Sequence, residues 1–167
     1  MTAKRIEAVL RPASVAVVGA SDTPGSIGEV LCRNLHEGGF RGPVFYVNPR
    51  HASIGDEPSY PDVRSLPQAV DVAIIATPPP TLPTVLEHCG ERGVRGAIIV
   101  SAGFREGGEE GAACERAMLQ VARRYGLRLL GPNSFGVIRT DDGFNASCGA
   151  ALPKPGRLAL VSQSSAL

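Results

Sequence analysis

Val15-Ala16-Val17-Val18-Gly19-Ala20-Ser21-Asp22-Thr23-Pro24-Gly25-Ser26-Ile27-Gly28 is the stretch on which the fold turns. Its first four residues are apolar without alternation, so a strand here must be covered on both faces, as in a parallel sheet. A turn of glycine and small polar residues follows. Ile27, Val30, Leu31 and Leu35 then recur at helical spacing up to Gly38-Gly39, a helix stop. The glycine spacing suits a tight turn whose backbone N–H groups approach a phosphate at a helix N-terminus. Gly28 would let the helix pack closely on the strand. The usual G-x-G-x-x-G is not present, because Ser21 takes the second glycine position and the loop is longer.

The same unit repeats outward from this stretch. Apolar runs begin at Val15, Val44, Val72, Ala97 and Leu127, a steady interval of 25 to 30 residues. Between them, Leu82 to Cys89 and Gly111 to Tyr125 carry apolar residues on one helical face. Pro58 to Pro67 holds three prolines, which predicts an irregular crossover with at most a short helix near Ser65 to Ala69. Alternating strands and helices at this spacing predict an α/β fold, a Rossmann-like doubly wound parallel sheet with helices on both faces. Right-handed crossovers bring all strand C-termini to one edge, where such sheets bind ligands.

The strand ends therefore supply the candidate site. The first gives Gly19, Ala20, Ser21, Gly25, Ser26, Ile27 and Gly28 for a phosphate. The second gives Asn48, Pro49 and Arg50, with no acid for a ribose hydroxyl; Arg50 suits a phosphorylated ribose, as carried by both NADP and coenzyme A. The third gives Thr77, Pro78, Pro79 and Pro80, a stiff apolar wall for an adenine ring. The fourth opens a flexible loop, Ser101-Ala102-Gly103-Phe104-Arg105-Glu106-Gly107-Gly108, and the fifth gives Asn133 and Ser134.

Composition narrows the partners. The formal net charge is +1 and aromatic residues make up 5% without a tryptophan, so neither a nucleic acid nor an anionic membrane is expected as partner. The apolar runs fall short of the roughly 18 residues of a membrane span, and the N-terminus is too charged for a signal peptide. The expectation is a cytoplasmic protein. Cys32, Cys89, Cys114 and Cys148 are too scattered for a zinc site or an obvious disulfide. His36, His51 and His88 each stand apart from a nucleophile, with His36 and His88 reading as solvated or capping residues. Asp141-Asp142 before Gly143 reads as a turn. No catalytic group is assigned.

In that order, Gly19-Ala20-Ser21 with Gly25-Ser26-Ile27-Gly28, Val47-Asn48-Pro49, Thr77-Pro78-Pro79-Pro80, Ser101-Ala102-Gly103-Phe104 and Gly131-Pro132-Asn133-Ser134 resemble the CoA-binding domains of NDP-forming acyl-CoA synthetases. These include ADP-forming acetate–CoA ligase and the succinyl-CoA synthetase α subunit. The same domain opens bacterial protein lysine acetyltransferases that carry a GNAT domain. The resemblance implies that Gly19 to Gly28 hold the diphosphate of CoA or an acyl-CoA, and that Arg50 approaches the 3′-phosphate. It implies Thr77 to Pro80 beside the adenine, and Ser101 to Phe104 with Asn133 and Ser134 along the pantetheine arm. It further implies a CoA-binding domain over residues 1–153, then a linker and the first strand of a flavodoxin-like domain over 154–167. Arg157 to Ser164 is expected to form that strand and a phosphate-type turn. The chain is thus expected to be one piece of a longer protein with an ATP-grasp domain, and inactive as a ligase or transferase by itself. Ser134 and Ser165 stand where many synthetases have Cys and Gly, which leans toward the acetyltransferase branch. The competing readings are an NADP-binding redox domain and a stand-alone CoA-binding regulator.

Overall fold

The computed structural model describes residues 3–104, 107–150 and 153–163. Its elements in chain order are α1 (Ala3–Leu10), β1 (Val15–Val18), α2 (Ile27–Gly38), β2 (Val44–Val47), β3 (Ser53–Ile54), β4 (Glu57–Tyr60), β5 (Val72–Ile75), α3 (Leu82–Glu91), β6 (Gly96–Ile99), α4 (Gly108–Tyr125), β7 (Arg128–Leu130), β8 (Gly136–Arg139) and β9 (Phe144–Ser147). Seven strands form one sheet in the order β3-β4-β2-β1-β5-β6-β7, parallel except for β3. Strand order reverses at β1, which pairs with β2 on one side and β5 on the other. The expected doubly wound sheet is therefore present.

Residues of β1 and β5 alternate between two cores. Ala16, Val18, Ala73 and Ile75 meet Leu82, Leu86, Met118 and Ala122 of α3 and α4. Val15, Val17, Val72 and Ile74 meet Val9 of α1 and Leu31 and Leu35 of α2. All eight strand residues are buried, which is why their runs show no polar alternation.

Three segments differ from expectation. The Pro58–Pro67 stretch is not wholly irregular: β3 and β4 form an antiparallel hairpin, and β4 extends the sheet beside β2. Pro58 is tolerated because β4 pairs with β2 only from Ser59 onward, so no ladder bond needs its N–H. The short helical turn falls at Val63–Ser65, earlier than expected, because Asp62 Oδ1 accepts from Ser65 N at 3.0 Å and caps it. Second, Asp141-Asp142-Gly143 is a turn, as read, but it joins two unforeseen strands, β8 and β9. Phe144 and Ala146 of β9 are buried in the core on the α1/α2 side of the sheet. Third, described residues 153–163 hold no strand, and Leu158 and Val161 are almost wholly exposed. Ser164 and Ser165 lie outside the described residues, as do Arg105 and Glu106 of the fourth strand-end loop.

Candidate functional site

A cleft of about 1060 Å³ opens at the C-terminal ends of β1, β2 and β5, the point where strand order reverses. One wall is the β1–α2 loop. Gly19 has φ +88°, and a Cβ there would lie 2.9 Å from Ala76 O. Gly28 is tighter: a Cβ would lie 2.1 Å from Gly19 O. The first turn of α2 thus rests directly on the backbone that leaves β1. Ser26 caps the helix by accepting from Glu29 N at 3.1 Å. Thr23 N donates to Ser21 Oγ at 3.0 Å, and Ser26 N donates to Thr23 O at 3.1 Å, which hold the loop in shape. The N–H groups of Ile27 and Gly28 precede the first helical hydrogen bond, from Val30 N to Ser26 O, and so have no acceptor within the helix.

The facing wall comes from β2 and β4. Pro49, Arg50 and His51 line it, and all three are exposed. Among the described residues no carboxylate pairs with Arg50. Pro61, Asp62 and Val63 continue this wall. Partial burial alone would raise the Asp62 carboxyl, but hydrogen bonds from Arg64 and Ser65 outweigh it and hold it below the usual carboxylate range. That acid is already engaged by its own turn. The third wall is Ala76, Thr77, Pro78 and Pro80 with Thr81, Thr84, Val85 and His88 of the helix that follows. Thr81 Oγ1 lies 2.7 Å from Pro78 O and 2.9 Å from Thr77 Oγ1.

A family model described as the CoA binding domain matches residues 13–140. The chain belongs to this family. It is 44% identical over 161 residues to the ADP-forming acetate–CoA ligase I of Archaeoglobus fulgidus, covering 96% of the chain and 23% of that relative. It is 45% identical over 166 residues to the α subunit of ADP-forming acetate–CoA ligase I of Pyrococcus furiosus, covering 97% and 36%. The solved acetyl-coenzyme A synthetase 1 of Ca. Korarchaeum cryptofilum, in complex with phosphate and ADP, superposes with a TM-score of 0.80 at 38% identity, covering 86% and 31%. The chain thus spans about a quarter to a third of the length of these relatives. The family supports neither the NADP redox reading nor the stand-alone regulator.

Within this CoA-binding domain, the cleft gathers Gly19, Ser21, Ser26, Ile27, Gly28, Asn48, Pro49, Arg50, Thr77 and Pro78 from the sequence-derived set. Ala20, Gly25, Pro79, Ser101, Ala102, Gly103, Asn133 and Ser134 are not on its wall. Ala20 is fully buried and meets cleft residues through its backbone, its N–H donating to Val47 O at 3.3 Å and its carbonyl accepting from Asn48 Nδ2 at 2.8 Å. Pro79 O accepts from Cys114 Sγ at 2.8 Å on α4. Ser101 is 7% exposed, and its hydroxyl donates to Thr77 O at 2.6 Å; Asn133 N donates to Ser101 O at 2.8 Å. These bonds tie the ends of β5, β6 and β7 together. Phe104, expected beside the pantetheine arm, is 1% exposed and belongs to the core between α3 and α4. Ser134 Oγ accepts from Gly136 N at 3.1 Å and starts the β8 turn.

Sequence reasoning missed Thr81, Thr84, Val85 and His88. Their spacing of three, one and three residues is a helical face, a usable signal, but Leu82, Leu86 and Cys89 mark the opposite, buried face more strongly. His88, read as a solvated or capping residue, sits in the last turn of α3, where its carbonyl accepts from Arg92 N at 3.2 Å, and it also lines the cleft.

The thiols stand apart from this chemistry. Burial pushes Cys32 up to about 11 and Cys89 up to about 12. Among the described residues no group of His, Cys, Asp and Glu is placed to hold a metal ion, and no helix is long and apolar enough to cross a membrane.

Proposed function

We propose that the chain binds coenzyme A or an acyl-CoA in this cleft. The observation that carries the reading is the contact at Gly28, where only a residue without a side chain lets the α2 N-terminus and its free N–H groups meet the loop that leaves β1. That cradle suits a diphosphate. Arg50, with no carboxylate partner among the described residues, would meet the 3′-phosphate. Pro61, Pro78 and Val85 supply apolar surface for the adenine. Ser101, Ala102, Gly103, Asn133 and Ser134 follow along the same sheet edge, where the pantetheine arm would leave the cleft.

The relatives' activity supports a larger role as the CoA site of an ADP-forming acyl-CoA ligase. In this reading the ligase is cytoplasmic, the domain works with an ATP-grasp domain, and residues 154–167 open the next domain. A second reading rests on Ser134 and Ser165, which stand where many synthetases carry Cys and Gly: a protein lysine acetyltransferase with a GNAT domain, using this domain as an acyl-CoA sensor. Assaying the full-length protein for ATP-dependent acyl-CoA formation and for acetyl transfer to lysine separates the two. Calorimetric titration with CoA, acetyl-CoA and NADPH tests the binding itself. Saturable binding of the CoA species and none of NADPH is expected; NADPH binding without CoA binding overturns the proposal.

A further inference from the structure

Asn48 was read from the sequence as a ligand contact, and the structure gives its side chain a different occupation. It is 8% exposed. Its Nδ2 donates to Ala20 O at 2.8 Å, on the loop leaving β1. Its Oδ1 accepts from Arg50 N at 2.9 Å, on the turn leaving β2. Its backbone N donates to Tyr60 O at 2.9 Å at the end of β4. One residue thus joins three chain segments that converge on the cleft.

We propose that Asn48 is a positioning residue that locks the diphosphate loop and the Arg50 turn in one relative geometry. The proposal rests on the reading that CoA occupies the cleft. The chemistry selects the amide. A carboxamide both donates and accepts, and this junction presents one carbonyl and one N–H. An aspartate in its place would oppose Ala20 O with a lone pair. A glutamine would carry the amide one methylene too far.

The two bonds act on different parts of the ligand. The bond to Ala20 steadies the loop that serves the diphosphate, which CoA and dephospho-CoA share. The bond to Arg50 N steadies the turn that presents the guanidinium, which only the 3′-phosphate of CoA can use. A serine separates them, because its short hydroxyl still accepts from the N–H two residues on and cannot reach Ala20 O.

The test measures affinities for CoA and dephospho-CoA by calorimetry. The variants are Asn48→Ser, Asn48→Ala, Arg50→Ala and the double variant Asn48→Ala/Arg50→Ala, each checked by thermal unfolding. Both Asn48 variants are expected to weaken dephospho-CoA on the order of tenfold, the loss of one buried hydrogen bond. Asn48→Ala should also reduce the preference for CoA over dephospho-CoA, and Asn48→Ser should keep it. In the Arg50→Ala background, removing Asn48 should change that preference no further. If Asn48→Ala does not fold, Asn48→Gln replaces it, with the same fall in preference expected. Unchanged affinities overturn the proposal, and so does an equal loss for both ligands with the preference intact. A fall in preference that persists without Arg50 overturns it too. If the parent chain binds neither ligand, the cleft reading itself fails and this proposal with it; any of the other adverse results, with CoA bound by the parent, fails the Asn48 proposal alone.

Discussion

Replacing Gly28 by alanine adds one methyl group, and the structure says what it meets. The new Cβ would stand 2.1 Å from Gly19 O, 3.1 Å from Ser21 N and 3.2 Å from Ser21 Cβ. All three belong to the phosphate loop, two of them to its backbone, so no flexible side-chain tip can swing away. Carbon and carbonyl oxygen need about 3 Å at the least, so helix and loop must part by nearly 1 Å. Overpacking of this kind costs about 1–3 kcal/mol. That cost falls on folding; the affinity suffers separately, because the same displacement moves the N–H groups of Ile27 and Gly28 off the diphosphate, and losing one hydrogen bond to a charged group, about 1.5–3 kcal/mol, should lower CoA affinity by about ten- to 150-fold. Valine, with two further methyls, should be worse. Arg50 offers the comparison. It is exposed, and an exposed ion pair is worth about 0.2–1 kcal/mol, a loss of fivefold or less that shrinks as salt rises. The assay is calorimetric CoA titration of Gly28→Ala, Gly28→Val and Arg50→Ala at low and high salt, with circular dichroism melts to show that each folds. If Arg50→Ala proves the more damaging at both salts, or if Gly28→Ala binds CoA as the parent does, the ranking of loop over side chain is refuted.

Asn34→Ala should lower stability by about 1–3 kcal/mol, read as a drop in Tm, because the buried amide donates to Ser147 O at 2.9 Å and Gly149 O at 2.8 Å and fastens α2 to the strand β9. Stability should decline between about pH 9 and pH 12, checked by urea unfolding: burial raises Cys32 to about 11 and Cys89 to about 12, above the ordinary thiol value of 9.0, so the unfolded chain loses those protons first and the folded state is penalised as pH rises. The purified 167-residue chain should form no product from ATP, CoA and acetate, followed by thioester formation, since it spans only 23% to 36% of the length of the ligases it resembles; turnover would contradict this.

The central strands were legible because β1, β5 and β6 lie between two helical layers, which forces an unbroken apolar run. The β1–α2 loop was legible for a related reason: the close approach at Gly28 leaves only glycine as a solution, and that leaves a mark in the sequence. β4 was hidden by Pro58 and by its half-exposed place beyond β2, where little apolar pressure acts. β8 and β9 carried an Asp-Gly turn signal, but their strands are four residues each, and β9 buries the polar Asn145 and Ser147 along with Phe144 and Ala146, which no apolar run announces. At the site, a residue's type revealed that it was special without revealing to what it was bonded. Asn48 and Ser101 were picked out correctly as strand-end polar residues, yet both spend their side-chain donors on neighbouring strand ends. His88 escaped because which part of α3 meets the cleft depends on how Leu82, Leu86 and Cys89 seat that helix in the core, a tertiary fact.

The claim that CoA occupies this cleft is tested most directly by mapping backbone amide shifts of the isotope-labelled chain as CoA is added. The account predicts the largest shifts at Gly19 to Gly28, at Arg50 and His51, and at Thr77 to Val85, with Asp141 to Phe144 of the distant hairpin turn unmoved. Saturable shifts confined to other surfaces, with the Gly19–Gly28 loop unchanged, would contradict it.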